Sequence, residues 1–271
     1  MKTHALDIFG FKVEATRGQE PAGNWLQIGR VSGGEININE NVRRVEAVGG
    51  VFFYHSLVEA TFSAEFAVVD AHLQTLVNLI KNDISLSVVA GSANDYIVKA
   101  LGCLVDEVSL EGRVGEPLRA TLSLRAMKPS LMATAPTIAP LSGNIVLWHD
   151  AAVSVAGNNY QVSRFQLRVR RNPHVTADFS VKANNEKRFP NLSAYGVAEC
   201  EFTCEIFLPF TPHFAADAPA PVSVAISLPN DKTLNLSNFH IATRRVPISG
   251  GSDLWVMTLT LQGSANNISL D

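Results

Sequence analysis

The sequence predicts a mainly β chain in which one β-unit occurs twice in tandem, with a single α-helix attached to the first copy. Three observations carry this. Residues 198–206 read A-E-C-E-F-T-C-E-I, so Ala198, Cys200, Phe202, Cys204 and Ile206 alternate strictly with Glu199, Glu201, Thr203 and Glu205. A period of two gives a strand one buried face and one wetted face. Residues 58–66 show the same alternation earlier in the chain, and Glu59, Phe62 and Glu65 fall against Glu199, Phe202 and Glu205. After the first of these strands, Leu73, Leu76, Val77 and Ile80 recur at the spacing of one apolar helix stripe.

Taken in order, residues 1–23 hold a weakly apolar stretch and then a loop punctuated by Gly18, Pro21 and Gly23, which reads as a mobile arm or connection. N-W-L-Q-I-G-R-V-S at 24–32 is the first firm strand. Gly33 and Gly34 are expected to turn it into 35–45, where Ile36 and Ile38 alternate with Glu35, Asn37 and Asn39. Residues 48–54 are apolar and aromatic, and Phe52, Phe53 and Tyr54 in succession cannot all face one core. After the acidic-faced strand, Asp70 is expected to cap a short helix ending near Asn82. Residues 84–89 pair with 96–104, and 105–110 with 118–126, as two hairpins. Residues 127–143, with Pro129, Pro136 and Pro140, read as a semi-rigid spacer. The expected domains are therefore 1–128 and 144–271, joined by a Pro/Ala-rich linker at 129–143.

The second unit repeats this order. Residues 144–155 lead to 165–169, where Gln166, Arg168 and Arg170 alternate with apolar residues. Asn172 occupies a turn comparable with that of Asn41, and a polar excursion at 182–190 precedes the 198–206 strand. In place of the helix stand Pro212, Pro219 and Pro221, which should shorten or abolish one. Residues 222–228 with 233–239, and 241–248 with 254–261, close the copy. Thr258, Leu259 and Leu261 sit against Thr121, Leu122 and Leu124.

Bulk properties narrow the function. The 271 residues suffice for two cores. Apolar residues make up 46% and charged residues only 17%, the balance of a chain that buries much of its outside in an assembly. A net charge of -3 argues against a dedicated nucleic-acid binder. No apolar run reaches the length of a membrane span, and the start lacks a signal-peptide core, so cytosolic synthesis is expected. Cys200 and Cys204 lie about 13 Å apart along one strand, too far for a disulfide, and with Cys103 they lack metal-ligand spacing.

The catalytic inventory is poor. There is no nucleophile elbow, phosphate loop or H-E-x-x-H, and the seven histidines are scattered singly. His149 and Asp150 are adjacent, but neighbours on a strand face opposite ways. Glu199 and Glu201 share a face about 7 Å apart, which suits a glycosidase pair but suits a solvated acidic face better. Arg164, Arg168, Arg170 and Arg171 could bind phosphate, although opposite-charge pairing with a neighbouring glutamate-rich strand is the simpler account. No enzyme activity, metal or cofactor is expected.

The strands at 24–32, 36–42 and 165–172, the strand-then-helix at 58–82 and the closing strands at 118–126 and 254–261 together resemble the tail tube proteins of long-tailed bacteriophages, in the form with a tandem-duplicated tube domain. The resemblance implies β-sandwich or rolled-barrel domains, the first flanked by a helix, and a virion structural role. Two domains per chain would imply a trimeric, pseudo-hexameric ring, stacked into a tube that conducts genome DNA without specific binding. Its implied partners are further copies of itself, the tape measure, the terminator and distal tail components, and its place is the virion tail, assembled in the host cytoplasm. Glutamates facing the bore would repel passing phosphates. Glu59, Glu65, Glu199, Glu201 and Glu205 are the candidates to line it; the alternative is that this acidic face pairs with arginines at a subunit contact. Phe52, Phe53 and Tyr54, in a loop at 51–56, and Lys187, Arg188 and Phe189, in a loop at 182–191, are the candidates to touch the next ring. A hub or distal-tail protein forming a single ring is the nearest alternative. The other is a carbohydrate-binding β-sandwich, which should expose tryptophans, whereas Trp25, Trp148 and Trp255 all stand in apolar strand contexts.

Overall fold

The computed structural model describes residues 8–39, 42–47, 50–55, 58–92, 96–176, 192–208, 221–245 and 255–271. The first half of the chain forms β1 (Ile8–Val13), β2 (Gly29–Asn39), β3 (Val42–Ala47), β4 (Gly50–His55), β5 (Glu59–Val68), α1 (Leu73–Lys81), β6 (Ser85–Gly91), β7 (Ile97–Arg113), β8 (Arg119–Ala126) and β9 (Lys128–Met132). The second forms β10 (Ala152–Val155), β11 (Asn158–Arg170), β12 (His174–Thr176), β13 (Leu192–Ala194), β14 (Glu199–Leu208), β15 (Val222–Leu228), β16 (Lys232–Arg245), β17 (Trp255–Gly263) and β18 (Ile268–Leu270). The fold is mainly β, with one short α-helix among the described residues and a β-barrel.

The hydrogen-bonded order in the first half is β2-β5-β8-β7-β6-β1, with β9 added to β7; in the second it is β11-β14-β17-β16-β15-β10, with β18 added to β16. The two orders match strand for strand. A β10–β11 pairing closes the second set into a barrel, while β1 meets the segment before β2 through the single bridge Phe11–Leu26.

The irregularities also coincide. The ladder slips between Val31 and Gly33 where β2 meets β5, and between Val162 and Arg164 where β11 meets β14. It slips between Val105 and Glu107 of β7, and between Ile241 and Thr243 of β16. Gly102 (φ 65) and Asn238 (φ 56) stand one residue before Cys103 and Phe239, which pair with Leu86 and Val222 at the matching slips of β6 and β15. An extra residue in a ladder bends the strand and reverses the phase of its side chains.

The halves join edge to edge. β11 pairs with β7 from Arg164–Arg113 to Arg170–Glu107, which makes one sheet of both. One apolar cluster runs beneath it, and Phe62, Leu124, Leu110, Leu167, Phe202 and Leu261 are all buried in it. At the seam Phe165 lies opposite Gly112, where a Cβ would stand 2.3 Å from its ring. Helix α1 buries Leu73, Leu76, Val77, Leu79 and Ile80. Its C-terminal end is held by the second half: Arg171, 3% exposed, donates to the Ile80 carbonyl and the Asp83 carboxylate and lies over the Tyr195 ring. A cation at that end also meets the negative pole of the helix.

Several local expectations are corrected. Residues 8–13 are not an arm but a strand, β1, with Phe9 and Phe11 fully buried against β6. Gly33 and Gly34 make no turn; β2 runs through them, and the bulge at Ser32 absorbs the break in alternation. The runs 96–104 and 105–110 are one bent strand, β7, and 233–239 continues past Phe239 as β16, because bulges mimic strand ends in the pattern. The expected spacer begins as β9, paired with β7. Asp70 does not cap α1, whose N-cap is His72; its carboxylate accepts from Asn144 N and Asn230 Nδ2. Residues 50–55 are a strand, not a loop. Trp148 sits in a 3-10 turn, Trp148–Asp150, and is 44% exposed; His149 and Asp150 in that turn approach to 3.5 Å instead of diverging. The 209–220 stretch that replaces the helix lies outside the described residues.

Candidate functional site

Eight consecutive strands, β2-β5-β8-β7-β11-β14-β17-β16, form a continuous sheet. Directly opposed residues of antiparallel strands share a face. One such row runs Gly33–Glu65–Thr121–Ser109–Arg168–Glu201–Gln262–His240. Apart from Gly33, every side chain in it is polar or charged. The row beside it, through Ala120, Leu110, Leu167, Phe202 and Leu261, is buried. The sheet is therefore apolar beneath and polar above across both halves.

All five acids read from the sequence lie on the polar face. Glu59 and Glu65 stand on β5 and Glu199, Glu201 and Glu205 on β14, with β8, β7 and β11 between the two groups. Their surroundings differ. Glu65 is 2.6 Å from Arg119 Nη1, and Glu205 accepts from Ser163 Oγ at 3.0 Å. Glu59, Glu199 and Glu201 are exposed and have no ion-pair partner among the described residues.

The arginines of β11 take their partners from β7, not β14. Arg164 Nε is 2.8 Å from Glu111, Arg168 Nη2 is 2.7 Å from Glu107, and Arg170 Nε is 3.1 Å from the same Glu107 oxygen. Glu201 and Glu199 do stand opposite Arg168 and Arg170 in register, as expected of a neighbouring acidic strand. The sequence reading missed Glu107 and Glu111, although Glu107, Ser109 and Glu111 alternate with Val108 and Leu110 as plainly as β14 does. It also missed Arg125, 3.3 Å from Asp106 on the same side of β8 and β7.

A shallow groove of about 470 Å³ over the β11–β14–β17 end is lined by Arg168, Arg170, Glu199, Glu201 and Gln262. It offers charge but no nucleophile beside a base. The three cysteines are buried and free; burial pushes the Cys200 and Cys204 thiols up to about 12, and the Cys103 thiol well above its ordinary value. Among the described residues no group of His, Cys, Asp and Glu is placed to hold a metal, and no helix is long and apolar enough to cross a membrane.

Two ribbons leave the sheet at matching places. β3 pairs with β4 between β2 and β5, and β12 with β13 between β11 and β14; among the described residues neither ribbon pairs with another strand. Phe52, Phe53 and Tyr54 fall on β4, but their side chains, and the whole of Lys187, Arg188 and Phe189, lie outside the description.

Residues 84–266 match a family described as phage tail tube protein. The chain belongs to that family. The tail tube match begins with β6, crosses the β7–β11 seam and includes all of β17, so it takes in both the internal joint and the strands β10, β11, β14, β15, β16 and β17 that close into a barrel. A structural component of a phage virion tail follows from the membership. No curated protein matches the chain.

Proposed function

We propose that the chain builds the tail tube itself: three copies close into a pseudo-hexameric ring, and rings stack into a conduit for genome DNA on its way to the host. The observation that supports this best is the repetition of strand order and bulge position in the two halves. It fits a tandem duplication, with copies over 1–128 and 144–271. Because β9 pairs with β7, the connecting segment of this proposal is better drawn at 133–143 than at 129–143.

The polar face is proposed to line the bore, with Glu59, Glu65, Glu199, Glu201 and Glu205 on it. Arginines on that face would hold phosphate if free, and each neutralised phosphate would add salt-dependent affinity. Arg119, Arg164, Arg168 and Arg170 each lie against a carboxylate of their own chain instead. Glu59, Glu199 and Glu201, without an ion-pair partner among the described residues, then add negative charge. Arg30 and Arg245, exposed and without a partner among the described residues, stand at the two margins of this face, so its middle repels DNA weakly and offers no clamp, which suits passage.

The β3–β4 ribbon, with Phe52, Phe53 and Tyr54, and the 182–191 segment, with Lys187, Arg188 and Phe189, are proposed to reach the next ring. Tape measure, terminator and distal tail components would cap or fill the tube, and assembly would take place in the host cytoplasm. Electron microscopy of the purified chain tests the reading. Hollow rings or tubes are expected; particles of one copy at high concentration would overturn it, and single rings that never stack would favour a hub role.

A further inference from the structure

The matched ladders assign the paired strand residues of one half counterparts in the other. Anchored on Phe62–Phe202, β2 maps onto β11 with Glu35 at Gln166, Asn37 at Arg168 and Asn39 at Arg170. Anchored on Leu124–Leu261, β7 maps onto β16 with Glu107 at Thr243, Val108 at Arg244 and Ser109 at Arg245. Within the chain, β11 lies on the edge of β7 that β6 leaves uncovered beyond Leu104. The counterpart edge of β16, on the β15 side beyond Phe239, has no strand on it among the described residues, and neither has the edge of β2 away from β5. The sheet thus ends, on its two sides, in the two halves of a joint it already contains once.

Resting on the ring reading above, we infer that β2 of one copy adds to residues 241–245 of β16 in a second copy, in the register of the internal seam. That register sets Asn37 opposite Arg245 and Asn39 opposite Thr243. In the internal seam the close ion pairs are diagonal. Arg164 stands opposite Arg113 but reaches Glu111, and Arg168 stands opposite Ser109 but reaches Glu107. The same diagonal between copies joins Glu35 to Arg245. Both are exposed, and neither has a partner among the described residues.

The two seams then carry opposite polarity. Inside the chain the bases are on β11 and the acids on β7; between copies the acid is on β2 and the base on β16. Exchange of edges is penalised in both directions. β11 against β16 sets Gln166 diagonal to Arg245 and Arg168 diagonal to Thr243, with no carboxylate for either arginine. β2 against β7 strands Glu107 without a base and leaves Glu111 only Arg113 of its own strand, 3.7 Å away. Rejection of the wrong edge by unpaired charge is a specificity device. It forces halves to alternate around the ring.

Two sets of variants of the full chain test this. Asn39→Cys with Thr243→Cys leaves Glu35 and Arg245 in place and should give, under oxidation, covalent species of up to three copies on a non-reducing gel, whereas each single variant gives none. Glu35→Arg and Arg245→Glu should each raise the concentration needed for assembly roughly fivefold, the scale of one exposed ion pair, and the double swap should restore it. Assembly of the native chain with no cross-link, and no rescue by the swap, overturns this seam and leaves the ring standing. A native chain that never assembles overturns both.

Discussion

Arg168 of β11 reaches across the seam to Glu107 of β7 at 2.7 Å, although Glu201 stands directly opposite it on β14. Arg170 shares the same Glu107 oxygen at 3.1 Å. One carboxylate thus ties two arginines of the second half to the first. The three side chains are between 27% and 47% exposed, so solvent screens the attraction. Glu107→Gln should lower stability by about 1 kcal/mol in dilute buffer, and the loss should shrink in molar salt. Urea midpoints at both ionic strengths check it; a loss unaffected by salt would show that packing, not charge, is at stake.

Beneath that network the seam depends on a missing side chain. Phe165 fills the space where a Cβ on Gly112 would stand, 2.3 Å from its ring carbon. Gly112→Ala should therefore push the ring out of the core and cost about 1–3 kcal/mol, the range for overpacking. Phe165→Leu in the same chain should recover part of that loss by shortening the side chain. If the glycine variant melts like the native protein, the seam is looser than the described packing.

Asp70 sets a pH dependence of defined sign. Burial works against its ionisation, but hydrogen bonds from Asn144, Asn230 and Ala71, with the charge of Lys232, outweigh it and hold the carboxyl below its ordinary 3.8. A group depressed on folding stabilises the native state above its unfolded value and loses that contribution as the pH falls through the native one. Asp70→Asn should thus be less stable than the native chain at neutral pH, by an amount that stays level down to the carboxylate range and dwindles below 3.8. Melting temperatures across that range decide; a constant gap would mean the carboxylate's charge is irrelevant there.

How much of this was legible in the sequence depended on phase. Where alternation is unbroken, as in β5 and β14, strand, face and cross-half correspondence could all be read from Glu59, Phe62 and Glu65 against Glu199, Phe202 and Glu205. Where a bulge shifts the phase, as at Ser32, Gly102 and Asn238, one strand looked like two. The acids of the candidate face were visible because they repeat. Their ion-pair partners were not, because a diagonal contact across non-consecutive strands, such as Arg168 with Glu107, leaves no mark on local spacing. β1 was missed for another reason: it is short, and its apolar residues acquire a face only against β6.

The most demanding local arrangement lies where β1 ends. Glu14 is 8% exposed, and its carboxylate accepts from Gly18 N at 2.7 Å, Ser87 Oγ at 2.8 Å, Ser85 Oγ at 2.9 Å and Gly102 N at 2.9 Å. Two of these donors are on β6, one is at the left-handed turn of β7 and one is in the loop after β1, so a single side chain fixes the first strand to the body of the fold. Removing it leaves buried donors without an acceptor, which is costlier than losing one exposed pair. Glu14→Ala should lose about 3 kcal/mol. Glu20, about a third exposed between Lys12 and Lys99, should lose under about 1 kcal/mol on the same change. Ser85→Ala and Ser87→Ala should each cost about 1 kcal/mol, and much less when Glu14 is already absent, because the three share one network. Denaturant titration of the four single variants and the two serine–glutamate doubles measures this. Fully additive losses would show that the serines and the carboxylate act independently, and the anchor proposed for β1 would fail.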